Sequence, residues 1–108
     1  MSDNRRAYYR IRYPLDEQPF LFVGATRYRV RECSERGLSF MSRARDRFEE
    51  GAELAGTIEF ASGERAEVAG RVTRVIDDMV AVELSRRAVP LALILGEQRR
   101  LHSQRRSM

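Results

Sequence analysis

The stretch "YRVRECSERGLSFM" (Tyr28–Met41) holds two runs of strand-like alternation around a tight polar connection. In the first run Tyr28 and Val30 share one face and Arg29 and Arg31 the other, a period of two that marks a half-buried strand ending near Cys33. In the second, Gly37–Met41, Leu38 and Phe40 face together. The pair reads as adjacent antiparallel strands.

Working outward, the same pattern repeats. "PFLFV" (Pro19–Val23) is a short apolar run whose opening proline suits a strand start or an edge. "ELAGTIEF" (Glu53–Phe60) is followed by "ASGE" (Ala61–Glu64), a hairpin turn in which Gly63 can adopt positive φ. The return strand "RAEVAGRVTRVI" (Arg65–Ile76) puts Ala66, Val68 and Val72 on one face; the phase slips near Val75, which predicts a bulge, and Gly70 marks a bend. Asp77 and Asp78 turn the chain into "MVAVEL" (Met79–Leu84), with Val80, Val82 and Leu84 inward. Six short strands with tight turns predict a mainly β fold, a six-stranded antiparallel barrel. From Pro90 the period changes to that of a helix, with Leu91, Ile94, Leu95, Gln98 and Leu101 at helical spacing and Arg99, Arg100, Arg105 and Arg106 near its end. The expected organisation is one domain over 1–108: a basic arm at 1–13, the barrel at 18–84 and a carboxy-terminal α-helix at 90–104.

Composition bounds the function. The 108 residues carry 20 basic side chains, all arginine, against 16 acidic ones, a net charge of +4 that favours anionic partners. Arginine's planar fork of donors suits phosphates and guanine edges better than lysine's point charge does. Cys33 is the only cysteine, which excludes an intrachain disulfide and a cysteine-cluster zinc site. The "MSDNRR" terminus has no apolar core for a signal peptide, and "AVPLALIL" (Ala88–Leu95) is too short to span a bilayer. A cytoplasmic protein with no membrane insertion, no metal and no cofactor is expected.

Two motifs carry chemistry. "RRAYYR" (Arg5–Arg10) fits RRxxxR through Arg5, Arg6 and Arg10, but in so arginine-rich a chain shuffling yields it roughly 0.6 times. "ECSERG" (Glu32–Gly37) fits an acidic or amide residue, one residue, Ser, two residues, Gly; chance gives it roughly 0.08 times. The first precedes the barrel and the second forms the turn between two expected strands.

Together they resemble the PilZ domain family, whose members bind cyclic di-GMP through RxxxR and [D/N]xSxxG motifs on a six-stranded barrel. The resemblance covers essentially the whole chain, including a closing helix similar to "PLALILGEQRRL" (Pro90–Leu101). It implies a cyclic di-GMP site made by Arg5, Arg6, Arg10, Glu32, Ser34 and Gly37, and a downstream protein partner. Glu32 departs from the family's Asp or Asn: it keeps the charge and adds a methylene, so weaker binding or an adjusted pose is expected. The chemistry of the side chains agrees. Arginine can fork onto phosphate or guanine and stack on a base, Ser34 can donate or accept at the turn, and Gly37 allows close backbone approach or positive φ.

Other readings stand beside this one. The chain could be a PilZ-like adaptor that has lost its ligand and acts by protein contact. It could also be a barrel for single-stranded nucleic acid, although the modest net charge and the lack of a basic stripe beyond Arg29 and Arg31 argue against that. Tyr8, Tyr9 and Tyr13 could stack on guanine or anchor the arm to the barrel rim. Cys33 is expected to pack between strands, and Asp46, Glu49 and Glu50 to form a solvated face. With no nucleophile beside the lone His102 and no G-x-S-x-G around Ser34, no enzyme activity is expected.

Overall fold

A computed structural model describes residues 10–43 and 46–106. It contains seven strands, β1 (Arg10–Arg12), β2 (Phe20–Val23), β3 (Thr26–Ser34), β4 (Gly37–Met41), β5 (Glu53–Glu59), β6 (Arg65–Ile76) and β7 (Met79–Arg87), then helix α1 (Leu91–Arg106). The ring runs β3–β2–β5–β6–β7–β4 and closes through β4 back onto β3, every pairing antiparallel. The six strands expected from the alternation are the six strands of this barrel.

The inward positions follow the alternation. Tyr28, Val30, Leu38, Phe40, Ala66, Val68, Val72, Val80, Val82 and Leu84 are all buried. Tyr28, Phe40 and Phe48 form an aromatic triangle with centroids 5.0–5.6 Å apart, tilted or edge-on as ring quadrupoles prefer. Gly63 has φ 95° in the β5–β6 turn, and Asp77 takes φ 52° in the β6–β7 turn, a conformation Asp tolerates better than most residues. Pro19 marks a strand start and not an edge, because β2 lies between β3 and β5.

Three differences from the sequence reading have physical reasons. The arm expected at 1–13 ends in a strand: β1 pairs with β3 in the register Arg10↔Ser34, Ile11↔Cys33, Arg12↔Glu32. Ile11 and Tyr13 are buried while Arg10 and Arg12 are exposed, so even this short segment alternates. Second, β3 carries a bulge. Val30 pairs with Phe40 but Glu32 with Ser39, leaving Arg31 as an extra residue. One inserted residue exchanges the faces of everything after it, which turns Cys33 inward and Glu32 outward. The slip expected near Val75 comes slightly earlier, where Thr73 is the extra residue between the pairs Val72↔Val82 and Arg74↔Ala81.

The third difference is the helix face. Ile94 is buried, but Leu91 is exposed, Gln98 is exposed, and Glu97 is buried in their place. A glutamate is tolerated there because its oxygens are met: Tyr13 donates its hydroxyl to Oε1 at 2.9 Å, and Arg100 donates Nε to Oε2 at 3.0 Å. Arg100 also donates to Glu17 at 2.7 Å. It is therefore part of the helix anchor. No helix among the described residues is long and apolar enough to cross a membrane.

Candidate functional site

The turn of "ECSERG" is held from both sides. Ser34 donates its Oγ hydrogen to the carbonyl of Gly37 at 3.2 Å, closing the turn on itself. The amides of Leu84 and Val89 donate to the carbonyls of Arg36 and Glu35 at 2.8 and 2.9 Å, tying the turn to the end of β7. Gly37 does not use positive φ, since the described glycines that do are Gly24, Gly51 and Gly63. A Cβ on Gly37 would meet Val82 O at 3.4 Å and Ser34 Oγ at 3.6 Å, ordinary contacts. What the glycine leaves is an open floor.

Register brings the end of the arm onto this turn. Arg10 lies opposite Ser34 and Arg12 opposite Glu32. Arg12 donates Nε to Glu32 Oε2 at 3.2 Å, and Arg10 Nε lies 3.9 Å from Oε1. The arginine side chains are exposed, so these are pairs that an incoming ligand can exchange at little cost.

Arg10, Glu32, Ser34 and Gly37 all line one groove of about 430 Å³ on the outer face of the barrel, within the usual range for small-molecule sites. Arg5 and Arg6 lie outside the described residues, as do Tyr8 and Tyr9. The rest of the groove was not foreseen: Arg36 in the turn, Ser39 on β4, Thr73 on β6, and Ala81 and Glu83 on β7. Outward residues of β6 and β7 read as a solvated face, and only register places them beside the turn. Ala81 between the inward Val80 and Val82 was the one available hint of a surface kept small. Bulges at Arg31 and Thr73 flank the groove, and each re-aims a lining residue; β6 slips once more against β7 at Gly70. Gly70 also shapes this side. A Cβ there would overlap the carbonyl of Glu83, so the glycine lets β7 approach β6 closely at Glu83.

Of the remaining candidates, Cys33 lies beneath the groove, fully buried, its thiol 3.6 Å from the Ser34 carbonyl. Burial, and then the charge of Glu97, pushes its pKa up to about 12, which removes the thiolate character a redox role requires. Tyr13 is an anchor: buried, it binds Glu97 and stacks on nothing in the groove. Asp46 accepts a hydrogen bond from Tyr28 at 2.9 Å, and His102 is exposed on α1. Among the described residues no group of three or more His, Cys, Asp or Glu side chains is placed to hold a metal ion.

The model of the PilZ domain family matches residues 4–93 of the chain. No similar curated protein and no similar solved structure was found.

Proposed function

The chain belongs to the PilZ domain family, and we accordingly propose that it is a receptor for cyclic di-GMP, a binding module and not a catalyst. One observation carries this: four residues from two separate motifs, Arg10, Glu32, Ser34 and Gly37, line a single groove. The described part of that groove holds two arginines, Arg10 and Arg36, against Glu32 and Glu83, which does not favour a dianion. Arg5 and Arg6 supply the missing charge, forking onto phosphates or onto guanine O6 and N7. Because Arg10 is already in β1, the residues before it would close over a ligand lying on the barrel, and their new position is the signal read by a protein partner.

The test is calorimetric titration with cyclic di-GMP of the wild type and of Arg6→Ala. A charge-assisted hydrogen bond contributes about 1.5–3 kcal/mol, so the variant should bind roughly 10- to 150-fold more weakly. Slower proteolysis of the arm in the presence of ligand would support the switch.

A second reading is favoured by one feature. Glu32 already holds Arg12 and Arg10, as it would in an adaptor whose groove is closed by its own side chains. That reading predicts no heat of binding and an unchanged melting temperature for both proteins.

A further inference from the structure

We propose that Glu83 reads the Watson–Crick edge of one guanine, as a second carboxylate facing Glu32 across the groove; this rests on the cyclic di-GMP reading above. The floor between the two is small. Gly37 pairs with Glu83, Ser39 with Ala81, and Glu32 with Ser39. Glu32 and Glu83 are thus two strands apart and offset by two residues along β4. With strands spaced about 4.8 Å apart and rising about 3.4 Å per residue, their Cα atoms stand roughly 12 Å apart. The Gly37, Ser39 and Ala81 surface between them leaves space for flat rings.

Glu83 differs from the other groups on its side. Thr73 spends its hydroxyl hydrogen on the Ala81 carbonyl at 3.3 Å. Arg71 lies opposite Glu83 in register, yet among the described residues Glu83 forms no ion pair. A groove-lining carboxylate with no ion pair among the described residues, and exposed, has both oxygens open to an incoming pair of donors. Guanine's Watson–Crick edge offers N1–H and the N2 amino group side by side, a pair of donors that one carboxylate accepts through both oxygens. Adenine presents a bare acceptor at N1 and no amino group at C2, so the same carboxylate repels it. Arginine reads the opposite edge of guanine, O6 and N7. Arg10 or Arg36 and Glu83 would therefore grip the base from different sides without competing.

The experiment titrates wild type, Glu83→Gln and Glu83→Ala with cyclic di-GMP and with its hypoxanthine analogue cyclic di-IMP, which lacks only the 2-amino groups. Melting curves confirm that each exposed-site variant is folded. Glu83→Ala should weaken cyclic di-GMP roughly 10- to 150-fold. It should also shrink the preference for cyclic di-GMP over cyclic di-IMP about tenfold, with Glu83→Gln between. If both variants bind cyclic di-GMP more weakly but keep the wild-type preference, Glu83 acts only on the sheet and the assignment is wrong while the receptor reading stands. If the wild type gives no heat with cyclic di-GMP, both fall together.

Discussion

Two glutamates meet the same four residues, Arg10–Tyr13, from opposite faces. Glu97 takes the inner face. It is 4% exposed and is gripped by the Tyr13 hydroxyl and by Arg100, which Glu17 holds in turn. Glu32 takes the outer face, with its side chain 26% exposed and Arg12 and Arg10 beside it in solvent. The chemistry is the same, a carboxylate against a hydroxyl or guanidinium, but the energetics are not. Around the buried Glu97 carboxylate a lost partner is not readily replaced by water, and the arrangement fixes the helix on the barrel. At the surface the pair contributes at most about 1 kcal/mol and can be traded for a ligand. Alternation from Arg10 to Tyr13 places both contacts on one short segment of chain.

The widest separation between the two regions should come from Glu97→Ala. Breaking a buried ion pair costs about 3–5 kcal/mol; Arg100 is partly exposed and keeps Glu17, so about 3 kcal/mol is expected. For a domain of this size that lowers the melting temperature by roughly 10–15 °C. Tyr13→Phe removes one hydrogen bond and should cost about 1–2 kcal/mol. Equal, small losses from Glu97→Ala and Glu32→Ala in thermal melts would erase the distinction and leave α1 docked by Ile94 and its apolar neighbours alone.

The same contrast explains what the sequence could disclose. The barrel was legible because its strands alternate: residues such as Val80, Val82 and Leu84 announce an inner face without reference to anything distant. The turn half of the site was legible because Ser34 and Gly37 act within one hairpin. β1 was hidden because "RIR" is three residues long and sits in a basic run that reads as an arm. Glu97 was hidden because helical periodicity assigns apolar residues to the core, and a buried glutamate becomes sensible only once Tyr13 and Arg100 are seen around it. The outward turn of Glu32 depends on a bulge at Arg31 that no pattern marks, and the Thr73–Glu83 wall depends on register across three strands.

Alkaline pH offers a smaller and more selective separation. Burial first, then Cys33 and Glu97, raises the pKa of Tyr13; burial raises that of Cys33 from 9.0 to about 12. An unfolded chain releases these protons at lower pH than the folded one does. Between those values it therefore binds fewer protons, and stability falls as pH rises. The Cys33 contribution is fully present below about pH 9 and is lost as pH climbs through about 12; that of Tyr13 is fully present below about pH 10 and declines above it. Urea midpoints measured from pH 8 to 12 should fall over that window in the wild type and fall less steeply in Tyr13→Phe and Cys33→Ala. Ser39→Ala, in the groove, should keep the wild-type slope. A slope unchanged in both inner variants would place the alkaline sensitivity elsewhere.

The finest test replaces Glu32 by Asp, the residue the family motif carries. Removing one methylene draws the carboxylate back toward the sheet and away from Arg12, whose Nε is now 3.2 Å from it. Since that pair is exposed, stability should change by less than about 1 kcal/mol, a few degrees in melting temperature. Affinity for cyclic di-GMP should move in the other direction. A shorter acceptor has one torsion fewer to order and no longer occupies the arginines, so binding should tighten by about three- to tenfold. An unchanged affinity would mean that Arg10 and Arg12 are not competing for the carboxylate. A weaker one would mean that Glu32 binds ligand through the extra reach of its side chain, and that the outer glutamate, like the inner one, is fitted to its partners as it stands.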